Sequence, residues 1–376
     1  MTSVLFQPTA IRGMRLANRF VRSATWEGRA DAEGRAAPEL VRMYRELAQG
    51  RVGLIISSHA FVSTEGRAGT QQLGAHDDVV IPALRGVVSA VHDAGGKIAL
   101  QIAHGGLFAA PGDGAGVEGG AEPAQPLGPS VRQTEAGPVG REMSLADIAA
   151  VTHAFAAAAV RAQAAGCDAV QIHAAHGYLL SEFLSPLFNQ RTDTYGGSVA
   201  SRARLVVEVI AAVREAVGPD FPVLIKMNSE DFVPGGLTVD DMLDSAVLIA
   251  QAGVDAIELS GGTSLSGDLG PIRTKSGIPE GREAYYEDAS LRLKQKVSVP
   301  VMLVGGIRTF ETAERLVQQG YADYIALSRP FIREPDLVAR WERADQAPST
   351  CRSDNRCFYK GLKREGMYCP HVRRDT

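Results

Sequence analysis

Short apolar runs rich in Val, Ile and Leu alternate with amphipathic stretches along the chain. Phe20-Val-Arg-Ser23 reads as a first strand, and Pro38 to Gln49 as a helix closed by Gly50. Gly53-Leu-Ile-Ile-Ser57 is a second strand, followed by a helix from Ile81 to Ala94 that ends at Gly95-Gly96. After the third strand, Lys97 to Ile102, a helix starts at Ser144 and ends near Gly166. The spacing Ser144-x-x-Asp147 predicts a capping box there. Ala169–Ile172, Pro222–Lys226, Ala256–Leu259, Pro300–Val304 and Ala322–Leu327 read as five more strands. The helices after them run from Ser198 to about Val217, from the Thr238 cap to before Gly253, and near Asp288 to Val297. Two more run from about Phe310 to Gln319 and near Glu334 to Arg343.

Strands this apolar, each followed by a helix, indicate a parallel sheet covered on both faces. Eight such units without a second boundary predict an α/β fold, a single (β/α)8 TIM barrel over residues 1–345. A Cys-containing tail, residues 346–376, is expected to pack on it. A doubly wound open sheet is disfavoured, because no Gly-x-Gly-x-x-Gly follows the first strand. The segments after strands three (103–143), four (173–197) and six (260–285) are long. Long loops on the C-terminal face of a barrel build a pocket and its lid.

Composition narrows the class. A net charge of −4 and a pI of about 6.1 argue against nucleic-acid binding. No apolar run approaches the roughly 18 residues of a membrane span, and the start of the chain lacks a signal-peptide pattern. Four cysteines in 376 residues do not make a disulfide framework. A cytoplasmic location is expected, with no membrane partner.

A barrel brings distant strand ends to one mouth. The polar residues expected there are Thr25, Trp26, Ser58, His59, Gln101, His104, His173, His176, Tyr178, Lys226 and Asn228, then Gly305-Gly306 and Ser328-Arg329. Two imidazoles can hold a carbonyl or phenolate oxygen, and the Tyr178 phenol can give up a proton. The last two pairs fall where such barrels bind phosphate, so a phosphate-bearing cofactor is expected. His173 and His176 could instead be half of a metal site with Glu182, but that spacing matches no standard ligand set. Lys226 could be an ordinary lysine reaching solvent on its aliphatic stem. The inference rests on all of these residues falling together.

The run Ile172-His-Ala-Ala-His-Gly-Tyr-Leu-Leu-Ser-Glu-Phe-Leu-Ser-Pro186, with Asn189-Gln-Arg-Thr-Asp-Thr-Tyr-Gly-Gly-Ser198, strongly resembles the old yellow enzyme family of FMN-dependent oxidoreductases. Leu16–Val21, Gln101–Gly106 and Gly305–Pro330 extend the likeness over nearly the whole chain. The resemblance implies FMN, with NADPH or NADH as reductant. Ala24, Thr25 and Gln101 would contact the flavin, Lys226 would lie by its N1 and O2, and Gly305, Gly306, Ser328 and Arg329 would hold its phosphate. His173 and His176 would bind the carbonyl oxygen of an enone or similar activated alkene, and Tyr178 would protonate it. Relatives form several assemblies, a homo-oligomer among them.

The chain departs from the family pattern in three places. Trp26 stands where relatives carry Thr or Cys, and His59 where alanine is common. Cys351, Cys357 and Cys369 resemble the iron–sulfur segment of the trimethylamine dehydrogenase branch, but Asp354 replaces its second Cys. The leading expectation is a vestigial segment that binds no metal, with a three-Cys, one-Asp cluster or a zinc site as lesser alternatives. The same tail keeps an amine dehydrogenase or demethylase as the second reading.

Overall fold

A computed structural model of the chain describes residues 3–110, 125–277 and 282–372. Its centre is a closed parallel barrel of β1 (Phe20–Arg22), β2 (Leu54–Phe61), β3 (Ile98–Ala103), β4 (Ala169–Ala174), β5 (Val223–Asn228), β6 (Ala256–Ser260), β7 (Val301–Leu303) and β8 (Tyr324–Leu327). β8 pairs back onto β1, with Ile325 opposite Phe20 and Leu327 opposite Arg22. The expected (β/α)8 barrel is therefore present.

The surrounding helices are α1 (Pro38–Gln49), α2 (Ile81–Asp93), α3 (Leu145–Ala165), α4 (Leu179–Leu184), α5 (Val199–Val217), α6 (Val239–Gln251), α7 (Glu287–Lys296), α8 (Phe310–Gln318), α9 (Arg329–Arg333) and α10 (Leu337–Glu342). The predicted capping box forms. The Ser144 hydroxyl accepts from Asp147 N, and the Asp147 carboxylate accepts from Ser144 N at 2.7 Å. The helix expected from Glu334 is shorter and follows a separate turn, α9, because Pro335 interrupts the path between them.

Two expectations change. α3 has 21 residues and is apolar enough by composition to cross a bilayer, contrary to the sequence reading. Here Ile148, Val151, Phe155, Ala158, Ala159 and Ala162 are buried in the shared core between helices and sheet, so it serves as a barrel helix. The Gly- and Pro-rich run after Ala110 lies outside the described residues. Around it, Arg132–Thr134 and Gly137–Val139 form a small hairpin that the sequence reading did not anticipate.

Inside the barrel the side chains change character along its axis. The lower layer is apolar, with Val21, Leu54, Ile56, Ala99, Ala169, Leu224, Ala256, Met302 and Tyr324 in one cluster. A second unanticipated hairpin, Thr9–Ile11 with Met14–Leu16, adds Ile11, Met14 and Leu16 to that cluster. Strand side chains alternate with period two, so the next inward residues are Ser23, Gln101, Gln171, Lys226 and Glu258. All five are buried.

Candidate active site

Those five polar side chains form one hydrogen-bonded floor. Lys226 Nζ donates to Ser23 Oγ at 2.8 Å and to Glu258 Oε1 at 3.0 Å. The Ser23 hydroxyl donates to Glu258 Oε1 at 2.5 Å, and Gln171 Nε2 to Glu258 Oε2 at 2.8 Å. Gln101 Nε2 in turn donates to Gln171 Oε1 at 2.7 Å. Lys226 is 3% exposed and Glu258 0%, so each compensates the other's loss of hydration.

Above the floor a cavity of about 520 Å³ opens at the C-terminal mouth of the barrel. Ala24, Thr25, Gln101, His173, His176, Tyr178, Lys226, Gly305, Ser328 and Arg329 all line it, as do Trp26 and His59. Gly306 is not among the lining residues; its Cα faces the Tyr285 ring instead. A Cβ on Gly305 would lie 2.8 Å from the Tyr286 ring and 2.9 Å from the Tyr285 ring, and its φ is 129°. Only glycine fits that turn comfortably, and it leaves bare backbone facing the cavity. Beside it the Ser328 and Thr25 hydroxyls are 2.7 Å apart. Arg329 Nη1 donates to Arg273 O and to Asn355 Oδ1, each at 2.7 Å.

One wall consists of three imidazoles and a phenol. His173 is the penultimate residue of β4, with its ring centroid 5.3 Å from that of His176 and 5.0 Å from that of Tyr178. The chain turns sharply there. His176 has φ 65°, a left-handed conformation unusual outside glycine, and its N–H donates to Asn228 Oδ1 at 3.0 Å. His176 Nε2 lies 2.8 Å from Ser260 Oγ. His173 Nδ1 is buried and has no hydrogen-bond partner among the described residues.

His59 reaches this wall through an irregularity in β2. Ile56 pairs with Ala99, but the next matched pair is His59 with Gln101, so one extra residue is inserted. Without the bulge, alternation would turn Ser58 inward instead. The Ser58 N–H displaced from the ladder donates to the Tyr44 hydroxyl at 2.9 Å. The bulge brings His59 Nε2 to 3.1 Å from the Tyr178 hydroxyl.

The electrostatics keep this wall neutral. Burial, reinforced by Lys226, lowers His59 to about 4. Burial first, then neighbouring imidazoles and Lys226, holds His173 and His176 well below the ordinary histidine value. Burial pushes Tyr178 up to about 12. At neutral pH each imidazole therefore carries one N–H and Tyr178 keeps its proton.

Glu182 does not join the histidines. Its Oε1 accepts from Leu107 N at 2.7 Å, and among the described residues it is not grouped with His173 and His176 as a set that could hold a metal ion. In the tail, Cys351, Cys357, Cys369, Asp354 and His371 line a second, very small cavity of about 20 Å³. The Asp354 carboxylate is engaged by His371 Nε2 at 2.7 Å. Among the described residues, no three His, Cys, Asp or Glu side chains are placed to hold one metal ion. The tail also walls the large cavity. Cys357, Phe358 and Met367 face it, the Phe358 ring packs edge-on to Trp26 at 5.8 Å, and Met367 N donates to Glu27 O at 2.7 Å.

Sequence reading missed Glu258 and Gln171. A signal was available, since a carboxylate inside the apolar strand Ala256-Ile-Glu-Leu259 is costly unless paired. The lining suits FMN, with a buried cation and amides on the floor, bare backbone at Gly305, and hydroxyl and guanidinium groups at Ser328 and Arg329.

The chain belongs to the NADH:flavin oxidoreductase / NADH oxidase family, whose model matches residues 4–346; this is the old yellow enzyme family. It is 34% identical to an NADH oxidase from Thermoanaerobacter brockii over 88% of its own length, but spans only 50% of that protein. It is also 34% identical to an NADPH dehydrogenase from Geobacillus thermodenitrificans, over 89% of this chain and 92% of the other. The structure of an old yellow enzyme homologue from Zymomonas mobilis superposes with a TM-score of 0.76 at 28% identity, covering 93% of this chain and 95% of that one. The family's cofactor is FMN, and NADH or NADPH is its reductant.

Proposed function

We propose that the protein is an FMN-dependent oxidoreductase that uses NADH or NADPH to reduce the activated C=C bond of α,β-unsaturated carbonyl compounds. The observation that carries this reading is His173 with its ring 5.3 Å from that of His176 and 5.0 Å from that of Tyr178 on one cavity wall. Gln101, Lys226, Ala24 and Thr25 would hold the flavin ring, and Gly305, Ser328 and Arg329 would hold its phosphate end, with Gly306 shaping the turn behind them. Bound FMN supplies the hydride chemistry. Lys226 would stabilise negative charge at the flavin edge, and Glu258, 3.0 Å from its Nζ, keeps the lysine in place.

The histidines bind the substrate's carbonyl oxygen through their N–H groups. With the Ser260 hydroxyl as donor to His176 Nε2, 2.8 Å away, that ring's proton would sit on Nδ1, and His173 Nδ1 has no partner among the described residues. Two donors to one oxygen draw electron density from the alkene and make its β-carbon electrophilic. Tyr178 then protonates the α-carbon. Its raised pKa keeps the proton available at neutral pH.

The test separates the two half-reactions. Under anaerobic rapid mixing, Tyr178→Phe should leave bleaching of the flavin by NADPH unchanged and slow reoxidation by cyclohexenone by about a hundredfold. Equal slowing of both steps would remove Tyr178 as the acid. Bleaching without reoxidation by any enone in the unaltered protein would refute the substrate class.

A further inference from the structure

Protonation by Tyr178 leaves a question of supply. Each turnover would remove one proton from a hydroxyl that bound substrate would cover on the cavity side. Adjoining the cavity is a rear space of about 260 Å³, and Trp26, His59, Tyr178 and Phe358 line both spaces. The rear space is bounded by Ala68, Gly69 and Gln72 of the loop after β2 and by Gly361 and Leu362 of the tail helix α11 (Arg356–Leu362). Leu362 is 57% exposed, so this space reaches the surface.

We infer that His59 is a proton-relay residue that reprotonates Tyr178 from solvent in the rear space after each turnover; this rests on the enone-reductase reading above. Among the described residues the Tyr178 hydroxyl hydrogen-bonds to His59 Nε2, at 3.1 Å. The bulge in β2 exists at the register position that creates it. His59 is also fixed from behind, since Gln72 Nε2 donates to its carbonyl at 3.2 Å and Gln72 Oε1 accepts from Ala68 N at 2.7 Å.

The protons balance as follows. The Tyr178 O–H bond breaks as the substrate's α-C–H bond forms, leaving a phenolate. His59 passes its Nε2 proton to that oxygen, while Nδ1 takes one from water or a buffer acid in the rear space. Exchange with the same water restores the starting tautomer. One solvent proton enters per turnover, and no electrons move in this step. An imidazole suits the task because it can give at one nitrogen and accept at the other.

The relay makes a prediction that positioning alone does not. Tyr178 starts each reaction protonated, so a first turnover needs no relay. In FMN-loaded His59→Ala, the first reoxidation by cyclohexenone should be slowed far less than the turnovers that follow it. Steady-state turnover should fall about tenfold or more, with a burst of one product equivalent per flavin. Added imidazole, able to enter the rear space, should restore turnover. His59→Gln keeps a hydrogen-bond donor but not the relay, and should show the same burst. An unchanged steady state, or a first turnover slowed as much as later ones and not rescued by imidazole, would overturn the relay. If NADPH reduces the unaltered protein but no enone reoxidises it, the substrate reading fails and the relay falls with it.

Discussion

The lower and upper halves of the barrel interior use the same strands to opposite ends. Leu224 and Lys226 are two residues apart on β5, and Ala256 and Glu258 two apart on β6. The lower member of each pair joins an apolar cluster, and the upper joins a hydrogen-bonded floor beneath the cavity. Period-two alternation delivers both layers, so one short step along a strand separates packing from chemistry. The cost differs in kind. Apolar side chains are stabilised by burial alone, whereas buried Lys226 and Glu258 depend on each other.

Breaking the floor should have the largest effect on stability. Glu258→Ala leaves Lys226 buried without its carboxylate, and should cost about 3–5 kcal/mol, seen as a lowered thermal midpoint. It should also shift the flavin midpoint potential, because the uncompensated cation favours the negatively charged reduced state. A potential equal to that of the unaltered protein would separate Glu258 from the cofactor's electrostatics.

A smaller or comparable loss is expected in the lower layer. Leu224→Ala should cost about 2–5 kcal/mol in chemical denaturation. FMN content and both half-reaction rates should remain near those of the unaltered protein. A changed rate would mean that the two layers are mechanically coupled rather than merely adjacent.

The smallest effect concerns buried imidazoles. His104 is 1% exposed, and burial lowers it to about 4. An unfolded histidine titrates near 6.5, so between about pH 6.5 and 4 the unfolded chain binds a proton that the folded interior refuses. Stability should therefore fall as pH falls through that window, by up to about 1.4 kcal/mol per unit for one such group. His104→Gln should flatten the slope in urea titrations at pH 4.5 and 6. An identical slope would show that His104 is not among the groups responsible.

Much of the fold was legible because its signals are local. The strand cores and most helix ends appear where apolar runs meet glycine, proline or a capping residue, as at Ser144 and Gly166. Lys226, His173, His176 and Tyr178 were found because polar groups at barrel strand ends fall on one face. The hairpin of Thr9–Leu16 was missed because three-residue strands carry almost no periodicity. Trp26 was noted in the sequence, but its packing partner Phe358 sits more than three hundred residues away, on a tail helix too short to announce itself.

The sequence by itself determined the succession of strand and helix units, and with it the barrel and the residues at its mouth. It also carried the family likeness. Only the tertiary structure decided how those residues pair. The link from Ser23 to Lys226 spans 203 positions, and no local pattern encodes it. The same holds for His59. Its inward direction depends on a single extra residue between Ile56 and His59, and a bulge reverses which side chains face the cavity without changing composition or hydrophobic pattern. Pairing across a closed sheet is set by register, and register is settled only when all the strands meet.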